Sequence, residues 1–244
     1  MKHVKSISPD PVVNAVVELR FDSALPKPAI YGILYSALRE DYGKQESMPI
    51  TQLPEELRLK DPNFRFKPWY QLSGNGLMVQ IGPDVIAVNC DCSGGYMGWT
   101  SFWELIQKIL VCVKDTGVVA KITRVGIRYI SFFEGMNIFD NLKLAIQRDG
   151  KPFVSHATTF MTLIEDAGFT QRLAVKNDAQ LKTASGSKTG STIDIDTFQM
   201  EERATFDGIE EAIQDGHRLE KQLFFSLLRD EFLEKLNPVY EEGN

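Results

Sequence analysis

The chain has 244 residues and a net charge of −6, with 43% apolar and 25% charged residues. That composition supplies a full hydrophobic core. Its mild acidity argues against general DNA or RNA binding, which relies on clustered Lys and Arg to neutralise phosphates. Residues 1–10 are polar and lack the apolar run of a signal peptide, and no apolar run approaches bilayer-spanning length, so a cytoplasmic, non-membrane protein is expected. The three cysteines, Cys90, Cys92 and Cys112, are an odd set that reads as reduced thiols. Cys90 and Cys92 stand too close in sequence for ordinary metal-ligand spacing.

Val12 to Phe21 alternates, with Val13, Ala15, Val17, Leu19 and Phe21 on one side and Asn14, Val16, Glu18 and Arg20 on the other, which predicts a half-buried strand. Pro28 suits a first helical turn, and Ile30, Ile33, Leu34, Ala37 and Leu38 keep helical spacing, so a helix is expected to run to about Tyr42-Gly43. Residues 44–63 hold three prolines and no clear period and read as a long surface connection. Residues 67–73 and 77–89 predict a strand pair turned at Gly74-Asn75-Gly76, the second member broken at Gly82-Pro83-Asp84. A glycine-rich turn, residues 94–98, then leads into a helix with Trp99, Phe102, Trp103, Ile106, Ile109, Leu110 and Val113 on one side, N-capped by Thr100 or Ser101 and ended by Gly117. Residues 119–133 form a long strand.

The second half is read as a short helix over 139–148, a hairpin of 156–165 with 169–176, a small polar mobile loop at 182–192, and a strand over 193–200. A long helical region over 206–236 follows, with His217 on its buried side, and then a frayed tail at 239–244. The expected fold is therefore α+β: a largely antiparallel sheet with two helices in a ferredoxin-like first half (1–140), then a β-meander and a long C-terminal helix (141–244) packed on the same core.

One pattern spans three separated strands. Glu18 and Arg20 share a side of the first, Arg124 and Arg128 share a side of the fourth with Gly126 between them, and Asp194 and Asp196 share a side of the last. One sheet face is thus apolar, and the other presents charges in rows. A salt-bridge ladder on a solvated face is the commoner meaning of such rows. The functional meaning is a polar groove in which the two arginines take an anionic group such as phosphate or carboxylate. Asp194 and Asp196 would then order those arginines or hold a divalent cation. The rows are similar to the lining of triphosphate tunnel metalloenzymes, although the first strand lacks the double glutamate and lysine that those enzymes place there. The turn at 94–98 matches neither the Walker spacing nor the dinucleotide fingerprint and reads as a tight connection. His3, His156 and His217 assemble no catalytic set from their spacing.

The stretches 11–21, Tyr96-x-Gly98-Trp99-x-x-Phe102, Arg124-Val125-Gly126-Ile127-Arg128-Tyr129-Ile130 and Asp194-Ile195-Asp196 resemble a family of sporadically distributed prokaryotic proteins of similar length. The resemblance implies a free-standing protein of bacterial type and brings no activity, cofactor or catalytic residue with it.

The leading expectation is a non-catalytic cytosolic binding or interaction protein that uses the charged sheet face, or a groove between the halves, for a protein partner or a small anionic ligand. No cofactor and no DNA are expected. A metal-dependent phosphoryl-transfer or phosphohydrolase enzyme is the alternative, with Arg124 and Arg128 on phosphate and Asp194 and Asp196 on the metal. An RNA-binding ferredoxin-like module is a second alternative, should Tyr129 and Phe133 be exposed for base stacking.

Overall fold

The computed structural model describes residues 4–183, 186–204 and 206–241. In chain order the elements are β1 (Val4–Ser6), β2 (Val12–Asp22), α1 (Lys27–Leu38), β3 (Lys44–Ser47), α2 (Glu55–Lys60), β4 (Tyr70–Gly74), β5 (Leu77–Gly82), β6 (Val85–Cys90), α3 (Trp99–Asp115), β7 (Lys121–Glu134), β8 (Gln147–Arg148), β9 (Lys151–Pro152), β10 (Thr159–Asp166), β11 (Phe169–Thr183), β12 (Gly186–Gln199), α4 (Ile209–Leu227), α5 (Asp230–Lys235) and β13 (Val239–Tyr240). Nine strands form one sheet in the order β10-β11-β12-β7-β2-β6-β5-β4-β3, and every neighbouring pair is antiparallel. The fold is α+β.

The alternation in β2 is what splits the sheet into two faces. Ala15, Val17, Leu19 and Phe21 are buried, while Glu18 and Arg20 between them are half-buried on the reverse side. The buried set joins Ile30, Leu34 and Leu38 of α1 and Phe102, Ile106, Ile109, Leu110 and Val113 of α3 in one hydrophobic cluster. The α3 residues recur at the spacing of a single helix face, and each buried side chain of this kind contributes about 1.5–3 kcal/mol. A second cluster forms from Leu173, Val175, Ile193 and Ile195 of the meander with Phe224, Leu228, Phe232 and Leu236. β7 spans 14 residues and pairs with β2 on one side and β12 on the other, so the sheet runs unbroken from the first half into the second.

The turns follow their residues. Asn75-Gly76 and Ala167-Gly168 each place two successive residues at positive φ, the geometry that closes two-residue hairpins. Gly82-Pro83-Asp84 separates β5 from β6 as expected.

Several expectations are corrected. Residues 44–63 are not an open connection: they contain edge strand β3, helix α2 and short 3-10 turns. All four β3 side chains are exposed, so no apolar alternation marks a strand held by its backbone bonds to β4. α1 stops at Leu38, short of Tyr42. α3 begins at Trp99 with Gly98 as its N-cap and no side-chain cap, so neither Thr100 nor Ser101 caps it. The helix read over 139–148 is one 3-10 turn, Ile138–Asn141, followed by extended chain. The polar stretch 182–192 belongs to the β11–β12 ribbon apart from residues 184–185, which lie outside the described residues. Backbone pairing makes that ribbon, and buried Ser191, which donates to Met136 O at 2.6 Å, with the Lys188–Glu134 ion pair, anchors it. The C-terminal helix breaks at Leu228, whose extended backbone bridges to Leu142, giving α4 and α5. Val239 and Tyr240 pair with β1 instead of fraying, and 242–244 lie outside the described residues.

Candidate functional site

The structure gathers all six charged residues of the three strands on one face of the sheet, opposite the helices. Residue 124 is buried, with its guanidinium folded back along β7 over Gly126. From there Nη1 donates to Glu18 Oε1 at 2.7 Å, and Nη2 donates to Asp196 Oδ1 and Oδ2 at 2.8 and 3.0 Å. Phe198 stacks beneath it, 4.4 Å from ring centroid to guanidinium carbon. Arg20 Nε shares Glu18 Oε1 at 2.7 Å and stacks over Phe66. Arg128 forms a two-pronged pair with Asp194, Nε to Oδ1 at 2.8 Å and Nη2 to Oδ2 at 2.7 Å, and these bonds hold its guanidinium above the ordinary arginine range. Arg172, unremarked in the sequence, approaches Asp196 at 3.8 Å.

The register explains this network. Asp196 lies directly opposite Arg128 and Phe198 opposite Gly126, so each arginine reaches its acid diagonally along the strand. Four arginines face three carboxylates, and each carboxylate already accepts from a guanidinium. The face can therefore present oriented, partly exposed charge. An incoming phosphate would compete with bonds already formed.

Asp194 and Asp196 each hold a different arginine, and among the described residues no group of three or more His, Cys, Asp or Glu side chains is arranged to hold a metal ion. Tyr129 and Phe133 are buried on the helix-covered face and offer no ring for base stacking. His3 lies outside the described residues. His156 lines a hollow near Asn137 and Asn177.

A second site, absent from the sequence reading, lies on the helix side of the sheet. A cavity of about 410 Å³ opens between the start of α3, the middle of α4, β7 and the N-terminal segment. The uncapped Gly98–Ser101 turn forms one wall. Trp99, Tyr96, Tyr129, Phe224 and Phe225 give it aromatic surface, and Ser131, Asp10, Lys5, His217, Glu220 and Lys221 give it polar groups. Tyr96 and Tyr129 share a hydroxyl–hydroxyl bond of 2.9 Å, and burial raises both phenols above their ordinary range.

His217 stacks on the Trp99 indole at 3.8 Å, and Trp99 Nε1 donates to Gln214 Oε1 at 3.1 Å. The imidazole Nδ1 is buried without a hydrogen-bond partner, and burial pushes the group down to about 3, so it is neutral. Glu220 is only 5% exposed, lines the cavity and makes no hydrogen bond to a described residue. Burial, with Asp10 adding to it, lifts its carboxyl to about 8, while Lys221 opposes the shift. Asp10 is itself raised by burial, against the Val12 N–H that it accepts.

A signal for this site was present in the sequence. Ile209, Ile213, Gly216, Glu220, Phe224 and Leu227 follow helical spacing, and an acid in the middle of an apolar stripe is a buried acid. Gly216 completes the placement: a Cβ there would meet Ile127 of β7, so the bare glycine lets α4 seat closely and bring His217 and Glu220 to the cavity.

The chain is thus an α+β protein with an ionic lattice on one sheet face and an acid-containing aromatic cavity on the other. Among known proteins it matches no family model and no curated sequence.

Proposed function

We propose that this is a non-catalytic binding protein whose small ligand occupies the cavity between α3, α4, β7 and the N-terminal segment. One observation carries the reading: a cavity of about 410 Å³ is lined by a buried carboxyl, that of Glu220, with no hydrogen-bond partner among the described residues. The Glu220 oxygens meet only the cavity's solvent, whereas His217 Nδ1 in the same lining is fully buried and unbonded, and a ligand that bonds the carboxyl replaces that solvent. Apolar walls with a few fixed polar groups are the usual makeup of small-molecule sites. Residues of both 1–140 and 141–244 line it. His217 lies flat against Trp99 and bonds to no hydroxyl or thiol, so the cavity lacks a base-activated nucleophile, which favours binding over catalysis. The test is a small-molecule fragment screen followed by two-dimensional NMR. Binders should shift the Trp99 indole N–H and the signals of Tyr96 and Glu220. A screen whose binders leave all three unmoved, or that finds none, removes the proposal.

A second reading is favoured by a separate observation. Met161 and Leu163 on edge strand β10 are exposed beside Arg172, next to the ionic lattice. Apolar surface bordering pre-oriented arginines suits a protein partner. The small-anion and phosphoryl-transfer readings of Arg124, Arg128, Asp194 and Asp196 have less support, because each of these groups already has an ionic partner.

The first half, 1–140, is read as a ferredoxin-like unit made by β2, α1, β5, β6, α3 and β7, with β3, α2 and β4 inserted between α1 and β5. Its spatial order β7-β2-β6-β5, with α1 and α3 in one core cluster, supports that reading. A cytoplasmic protein of bacterial type is supported by the family resemblance and by three free cysteines.

A further inference from the structure

We infer that the cavity selects a small organic cation, a primary or methylated amine carried on an apolar or aromatic body, held by Glu220 and Asp10 within the aromatic wall. The inference rests on the binding reading above and adds the charge of the ligand.

Two carboxyls line the same cavity, Glu220 of α4 on its wall and Asp10, before β2, exposed at its rim. Glu220 is nearly fully buried and has no hydrogen-bond partner. An ionised carboxylate in that position needs a compensating charge, and among the described residues none pairs with it. Lys221 follows Glu220 on α4, but its ammonium pairs with Glu241 at 3.3 Å, toward the surface. Lys5 is exposed at the rim. His217 is neutral, and the Tyr96–Tyr129 pair stays protonated. The charged and titratable groups around Glu220 are therefore Asp10, Lys5, Lys221, His217, Tyr96 and Tyr129, and none of them neutralises it directly.

The walls point to the same class. Trp99, Tyr96, Tyr129, Phe224 and Phe225 line the cavity; His217 and Trp103 already stack on Trp99, so the attraction of a cation to aromatic rings falls to the tyrosines and phenylalanines. The hydroxyl pair of Tyr96 and Tyr129 provides acceptor lone pairs for ammonium N–H groups. An anion would have the uncapped start of α3 in its favour but would meet Asp10 and would hold Glu220 in its protonated form. Without a ligand Glu220 keeps its proton at neutral pH. An entering ammonium favours the carboxylate, so the proton leaves to solvent as the ion pair forms.

Three probes of one shape and different charge test this: benzylamine, benzyl alcohol and benzoate, titrated calorimetrically into the full chain at about neutral pH in two buffers of different ionisation heat. Benzylamine should bind at least about tenfold more tightly than benzyl alcohol, benzoate should bind weakest, and only benzylamine should release a proton. Glu220→Gln should reduce benzylamine affinity about tenfold or more, abolish the proton release and leave benzyl alcohol unchanged. Asp10→Asn, at the cavity rim, should weaken benzylamine selectively even if the Gln variant folds poorly. If benzoate binds best, or if both variants keep full benzylamine affinity, the charge assignment falls while the binding site stands. If none of the three probes binds, the assignment and the proposed site fall together.

Discussion

The Arg124 guanidinium lies over Gly126, two residues further along the same strand, in space that a Cβ at position 126 would occupy. That vacancy lets a side chain anchored on β7 reach Glu18 on β2 and Asp196 on β12 together. Gly126→Ala should displace the guanidinium and leave two partly buried carboxylates short of their partner. A loss of about 2 kcal/mol or more in urea unfolding is expected. Unchanged stability would show that Arg124 does not need this path.

The two aspartates of β12 should differ in worth. Asp196 serves an arginine whose side chain is 6% exposed, and Asp194 serves one that is 38% exposed. Removing Asp196 leaves the buried Arg124 guanidinium with Glu18 alone and two of its donor contacts unmet, whereas solvent screens the exposed Arg128. Asp194→Asn should cost no more than about 1 kcal/mol and Asp196→Asn about twice that or more. Equal losses in denaturant titrations of the two variants would contradict the assigned burial.

Stability should follow pH in three segments, set chiefly by two groups in the cavity wall. Glu220 has a folded value of about 8 against an ordinary 4.5. Its contribution is complete below pH 4.5 and is lost as pH rises toward 8. His217 has a folded value of about 3 against 6.5, so its burial destabilises the fold as pH falls from 6.5 toward 3. The two slopes oppose each other between 4.5 and 6.5 and roughly cancel. The Glu220 loss then dominates from 6.5 to about 7, at up to about 1.4 kcal/mol per pH unit, and above that the Cys90 thiol, lowered to about 7 chiefly by its hydrogen bond with Cys92, works against it. Glu220→Gln should abolish that loss. A Glu220→Gln variant whose urea midpoint follows pH just as the wild type does from 6.5 to 8 would mean that Glu220 is ionised in the fold.

Gly216 sets how closely α4 approaches β7. Gly216→Val adds volume against Ile127 and Phe169 and should destabilise the fold by about 1–3 kcal/mol, although valine forms helix better than glycine does. It should also tilt the turn that carries His217 and Glu220, altering the Trp99 fluorescence. A stabilised variant with an unchanged spectrum would show that the contact is loose.

The sequence made some of this legible and hid the rest for identifiable reasons. The period of two in β2 and β7 fixes which side chains share a side of each strand, and therefore which charges can meet. β3 and the 182–192 ribbon carry no such period because their faces are exposed or polar; their pairing is a backbone property decided by the neighbouring strands. The break at Leu228 is hidden in the same way, because its bridge to Leu142 lies 86 positions away in sequence and no local residue marks it. Glu220 was visible as an acid in an apolar stripe, but nothing near it in the chain indicates what faces it.

By itself, then, the sequence determined the two-faced character of the strands, the amphipathic helices and the turns, since periodicity, glycine conformation and proline geometry act over a few residues. Tertiary structure alone decided that β12 pairs with β7, which joins Arg124 to Asp196, and that α4 lies beside the start of α3, which places Glu220, Asp10 and Trp99 around one cavity. Contacts of that kind depend on which surfaces bury each other across the whole chain, and local pattern does not encode them.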